Sequence, residues 1–178
     1  MRVIIRSVLS FVVLGVAFSS YFLMGSLSAQ ASEARLLSTH GAWSAYVFTE
    51  NGQKVCYMAS QPQKHEGNYT RRGEIFAIIT HRPAEKSKNV FSYTAGYPYR
   101  TGSDVRVRVN GRNFTLFTQG DNAWTPDAKT DNDLADAIRR GSTMVVTGTS
   151  QRGTLTTDTF SLRGSAAAHN AISRECGM

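Results

Sequence analysis

The stretch from Asp104 to Asn113 reads Asp-Val-Arg-Val-Arg-Val-Asn-Gly-Arg-Asn. Val105, Val107 and Val109 alternate with Arg106 and Arg108, and side chains on a strand point alternately to opposite faces. The pattern describes a half-buried strand with a charged outer face. A slip of one residue would bury two guanidiniums in order to expose three valines, so the register is fixed. Asn110-Gly111 ends the strand with a pair that tolerates positive φ, a strong hairpin signal. It leads into Asn113 to Thr118, where Phe114 and Leu116 share one face and Phe117 takes the other. Whatever else the chain does, it must build an antiparallel sheet around this hairpin.

The same rhythm recurs on both sides. Trp43 to Thr49 and Lys54 to Ser60 flank Glu50-Asn51-Gly52-Gln53, a second Asn-Gly turn. Glu74 to His81 is almost continuously apolar and predicts a strand in the interior of the sheet, followed by another at Val90 to Tyr97. Thr143 to Ser150 and Thr154 to Leu162 form a Thr-rich hairpin around Gln151-Arg152-Gly153. Two segments break the pattern. Asp131 to Arg140 sets Leu134, Ala137 and Ile138 on one stripe, with acids in its first turns and Arg139-Arg140 before Gly141, as the helix dipole favours. Ser165 to Cys176 has Ser165 as its expected N-cap and Ala168, Ile172 and Cys176 on one face. No repeat or linker interrupts the chain. About eight short strands predict a mainly β fold: an antiparallel β-sandwich or barrel-like sheet with one or two short helices at its end.

The first residues belong to targeting rather than to this fold. Arg2 and Arg6 precede a largely apolar run from Val8 to Met24, and Ala29-Gln30-Ala31 is an A-x-A site. Residues 1–31 read as a secretory signal peptide cleaved after Ala31, leaving 32–178 as a single β-rich domain with no transmembrane segment. Removing Arg2 and Arg6 leaves 18 basic residues against 13 acidic ones, a net charge of +5. In an oxidising compartment Cys56 and Cys176 are most simply one disulfide, since no C-x-x-C suggests a reactive thiol.

The catalytic search is largely negative. The sequence contains no H-E-x-x-H, no G-x-S-x-G, no Walker loop and no dinucleotide fingerprint. His40, His65, His81 and His169 are scattered, and Asp131-Asn132-Asp133 lacks the glycine of a calcium loop. No cofactor, metal or catalytic residue is expected. The pronounced surface signal is basic and aromatic, in the middle third of the chain. Arg71, Arg72, Lys86, Lys88, Arg100, Arg106, Arg108 and Arg112 are interleaved with Tyr93, Tyr97 and Tyr99 there, and Arg100, Arg106, Arg108, Tyr97 and Tyr99 make the set that suits an anionic glycan or lipid headgroup. A charged edge strand guarding against aggregation, or simply a solvated face, explains the same residues more simply.

Taken together, a scattered set of motifs resembles the invasion-associated locus B family, small exported proteins of alphaproteobacteria. They are Trp43-Ser44-Ala45-Tyr46, Val55-Cys56-Tyr57, Gly96-Tyr97, Val109-Asn110-Gly111, Gly120-Asp121-Asn122-Ala123-Trp124 and the stretch from Phe160 to Gly164 before Cys176. The resemblance implies a β-rich periplasmic or surface-associated protein, linked in some members to entry into host cells. It carries over no catalytic or cofactor residue.

The expectation is therefore an exported, non-enzymatic envelope or surface module that supports invasion or envelope integrity through binding. Its partner is a protein, glycan or lipid of the envelope; nucleic acid is not expected. The alternatives are an anion-binding protein for acidic polysaccharide or lipid headgroups, and a hydrolase whose site is assembled in space.

Overall fold

The Val-Arg segment is a strand, Val105–Val109, with its three valines fully buried and both arginines exposed. The computed structural model describes residues 32–178, so the expected signal peptide, 1–31, lies outside it. The strands are β1 (Arg35–His40), β2 (Trp43–Glu50), β3 (Gln53–Ser60), β4 (Lys64–Gly67), β5 (Phe76–Arg82), β6 (Ser87–Thr94), β7 (Val105–Val109), β8 (Arg112–Gln119) and β9 (Asn122–Trp124). Helix α1 (Ala128–Arg140) precedes β10 (Thr143–Thr149) and β11 (Leu155–Ser161), and helix α2 (Ser165–Cys176) follows them. The strands join in the order β1-β2-β3-β5-β6-β9-β8-β7-β10-β11-β4, each pair antiparallel.

The sheet curls until its two halves face each other, as a barrel-like sandwich. Ala42 N–H donates to the Arg163 carbonyl at 3.0 Å, and Trp43 Nε1–H donates to the Ser161 carbonyl at 3.0 Å. Trp43, Met58, Ile79 and Phe91 from one half share a core with Val107, Leu116, Met144 and Phe160 from the other. Helix α2 packs on β2 and β3, and α1 on β6. The chain enters α2 through Gly164 at φ +92, where a Cβ would lie 1.9 Å from the His40 carbonyl oxygen; only glycine fits. Cys56 of β3 and Cys176 of α2 form a disulfide, with Cα atoms 6.1 Å apart.

The fold is mainly β with two helices, and the structure adjusts its details. There are eleven strands among the described residues rather than about eight. β1 is bulged near Leu36, β4 is wholly exposed, and β9 is three residues long, so none shows a clean two-residue period. The run expected at Glu74 begins at Phe76 and lies inside the sheet, alternating buried Ala77, Ile79 and His81 with half-buried Phe76, Ile78 and Thr80. Its continuous apolarity arises because both faces of β5 are apolar. Helix α1 starts at Ala128, capped by Asp127, whose carboxylate accepts from Thr130 N–H. Asp131 stands in the first turn of α1, as the dipole favours, and is also buried, accepting from Phe91 N–H and the Thr125 hydroxyl. Ser165 is not the cap of α2, which is Gly164; its hydroxyl donates to the Ile138 carbonyl instead.

Candidate functional site

On β11, Thr156, Asp158 and Phe160 point inward, while Leu155 is exposed. Asp158 is fully buried, and a carboxylate in that position requires a cation. The segment between β4 and β5 supplies Arg72, whose side chain is only 4% exposed. Its Nη1–H and Nη2–H donate to the two Asp158 oxygens at 2.7 Å each, and Nε–H to the Ala95 carbonyl at 2.6 Å. Nη2 also donates to the Tyr93 hydroxyl at 3.1 Å, and that hydroxyl donates onward to Asp158. Burial opposes the charge on Arg72, but the hydrogen bonds with Asp158 outweigh it and hold the guanidinium above its ordinary pKa. Burial, reinforced by the Asp158 charge, likewise pushes the Tyr93 phenol up.

Tyrosines enclose this pair. The Arg72 guanidinium carbon lies 4.8 Å from the ring centre of Tyr97 and 5.6 Å from that of Tyr69. Tyr97 shares a 2.6 Å hydrogen bond with Thr156 and meets Tyr99 edge-on at 5.3 Å. The crossing of backbones here depends on Gly96 at φ +71, where a Cβ would come within 2.4 Å of the Gly73 carbonyl oxygen. Gly73 N–H in turn donates to the Gly96 carbonyl at 2.9 Å.

Above the pair opens a cleft of about 600 Å³. Arg72, Tyr97 and Thr156 form its buried part, Arg71 stands exposed on the loop before β5, and Arg152 on the β10–β11 turn. No aspartate or glutamate lines it. Among the described residues neither Arg71 nor Arg152 belongs to an ion pair. The cleft is a concave, uncompensated positive surface over a charge pair already neutralised.

The basic and aromatic set expected from the sequence is divided by the sheet. Tyr97 and Tyr99 lie on the inner side, against Gly148 and Val105. Arg106 and Arg108 project from the opposite face of β7, and Arg100 is exposed in a turn whose N–H donates to Thr149. β7 is also an interior strand between β8 and β10, so edge protection does not explain its arginines. Of the basic and aromatic set, Arg71, Arg72 and Tyr97 line the cleft; Arg152 and Asp158 are the residues that sequence reasoning missed as a site. One signal was available: Asp158 has the same parity as Phe160, a carboxylate in an inward position of an amphipathic strand.

A second polar cluster lies beneath α2. Asn89 N–H donates to His81 Nδ1 at 3.1 Å, which assigns the proton to Nε2, 3.1 Å from the Ser173 hydroxyl. Ser173 is 3.4 Å from His169 Nδ1, and His169 Nε2 is 2.7 Å from Asn89 Oδ1. Burial lowers the pKa of both rings, that of His169 to about 4. The ring closes through Asn89, and Ser173 and both histidines spend their donors and acceptors within it. Among the described residues no three His, Cys, Asp or Glu side chains converge as a metal site, and no helix is long and apolar enough to cross a membrane.

These features define a class: a small β-rich domain of one curled antiparallel sheet, locked by a disulfide and carrying a basic, tyrosine-lined cleft. Residues 43–173 match the family described as "Invasion associated locus B (IalB) protein", and the chain belongs to that family. The crystal structure of invasion associated protein b from Bartonella henselae has a similar fold, with a TM-score of 0.54 at 18% identity. The match covers 81% of this chain and 97% of that one. No curated protein matches the chain.

Proposed function

We propose that this chain is an exported, non-enzymatic module of the cell envelope, periplasmic or associated with the outer surface. It supports invasion or envelope integrity by binding, and the cleft over Arg72 is where it binds. Residues 1–31 are its export signal and 32–178 its single domain. The family membership and the Cys56–Cys176 bond, a feature of oxidising compartments, support that placement. One observation carries the choice of site: Arg71 and Arg152 face a concave surface whose lining has no acid. Uncompensated cations in a cleft concentrate an anionic partner there. Both histidines of the His81–Ser173–His169 cluster are buried beneath α2 and none of the three residues lines the cleft, which supports a binding rather than a hydrolytic role for it.

The test is site-specific photo-cross-linking in the native envelope, with the cross-linking residue at Thr154 in the cleft or at Thr115 on the outer face of β8. Adducts from Thr154 that are absent from Thr115 are expected. Equal capture from both positions, or capture from Thr115 alone, would overturn the choice of site.

A further inference from the structure

The lining of the cleft narrows the chemistry of what it takes. Asn68, Thr70 and Gln151 are exposed around it, and their amides and hydroxyl both donate and accept hydrogen bonds. With Arg71 and Arg152 they make a surface of neutral bonding groups punctuated by two planar cations. A carboxylate matches the guanidinium fork, and several hydroxyls on the same molecule match the amides. An anionic lipid would also need apolar surface for its acyl chains. Among the described residues the exposed large apolar side chains are Leu36, Phe117, Leu155 and Met178, and none of them lines the cleft, whose apolar surface comes from the rings of Tyr69, Tyr97 and Pro98 and offers flat faces rather than a channel for acyl chains. Leu155 lies beside Thr156 in sequence but points to the other face of β11. The volume, about 600 Å³, falls within the range of sites that enclose small ligands.

We infer that the cleft binds an acidic saccharide, a sugar whose carboxylate is held by Arg71 and Arg152 and whose hydroxyls face Asn68, Thr70 and Gln151. Arg72, clamped by Asp158, is a positioning residue: it fixes Tyr97 and the loop that bears Arg71. This inference rests on the cleft being the binding site.

Calorimetric titration of the exported protein with trigalacturonate tests it. Binding is expected to weaken with added salt and to fall roughly tenfold or more for the methyl ester of the same trimer. Arg71→Gln and Arg152→Gln should each weaken it by a similar factor, whereas Arg106→Gln combined with Arg108→Gln should change it less than twofold. No binding of trigalacturonate, equal binding of the ester, or loss only in the Arg106/Arg108 variant would overturn the inference. Phosphatidylglycerol vesicles separate the two levels of failure. If they bind through Arg71 and Arg152 while trigalacturonate does not, the saccharide is wrong and the cleft stands. If cross-linking from Thr154 fails as well, both fall.

Discussion

Replacing Asp158 by asparagine keeps the shape of a fully buried side chain, removes its charge and turns one of its two acceptor oxygens into an NH2 donor facing a donor. Arg72, 4% exposed and bound through both terminal nitrogens to that carboxylate, is then left as an uncompensated buried cation. Breaking one partner out of a buried pair costs about 3–5 kcal/mol. Against a typical domain stability of about 5–15 kcal/mol, that loss is roughly a fifth or more of the total. Urea unfolding followed by the fluorescence of buried Trp43 is the assay, with an unchanged slope showing that the native state is otherwise intact. The argument also predicts the reverse case. Arg72→Met, Asp158→Leu and Tyr93→Phe together remove both charges and the hydroxyl that links them, so no polar group of the network's side chains is stranded. That triple variant leaves the Ala95 carbonyl without its Arg72 donor, a smaller cost than a stranded buried charge, so it should still be more stable than Asp158→Asn alone. A cost below about 1 kcal/mol for Asp158→Asn would show that the pair is not energetically buried. A triple variant no more stable than the single one would refute the desolvation account.

The Cys176→Ser variant should lose about 2–5 kcal/mol, since the bond closes a loop spanning 120 positions and the chain-entropy model assigns such a loop nearly 5 kcal/mol. Mass spectrometry of oxidised protein should find Cys56 joined to Cys176, and two free thiols there would refute the pairing. Acid should destabilise the fold through His169, whose folded pKa of about 4 lies below its unfolded value. The unfolded chain takes up the proton first, so stability is full above pH 6.5 and declines as pH falls towards 4, by about 2 kcal/mol at pH 5 and about 3 below pH 4. His169→Gln should remove that part of the slope; an unchanged pH profile in the variant would place the effect elsewhere. Finally, intact-mass analysis of the exported protein should give an N-terminus at or near Ser32, and a mature chain beginning at Met1 would end the export-signal reading.

What the sequence revealed follows from how local each signal is. The β7–β8 hairpin was legible because Val105, Val107 and Val109 alternate with arginines and Asn110-Gly111 marks the turn. The pairing of Cys56 with Cys176 was legible because expected export leaves the chain's two cysteines one partner each. The outer strands were not: β4 is exposed at every residue, and only its pairing with β11 makes it a strand. The site was hidden for a related reason. Arg72 and Asp158 are 86 positions apart, and nothing in either neighbourhood says that they meet. Tyr97 and Arg106, close in sequence, are separated by the sheet. Chain proximity groups Arg71 and Arg72 with Arg100, Arg106 and Arg108; topology separates them and brings in Arg152.

The disulfide also decides how the domain responds to mechanical force. With handles at Ser32 and Met178, tension enters at β1, reaches Cys56 early in β3, crosses the sulfur bridge and leaves through the last two residues. Only the 24 residues before Cys56 and the two after Cys176 can lengthen, about 90 Å of contour, against about 500 Å for 147 residues without the bond. Strands β4 to β11, both helices, and Arg71, Arg72, Arg152 and Asp158 all lie inside the covalent loop and carry no direct load. A protein strung between two attachments would surrender β1 and β2 under load while its cleft stayed shielded from the tension; with the bridge reduced, the same pull would be free to run through the sheet.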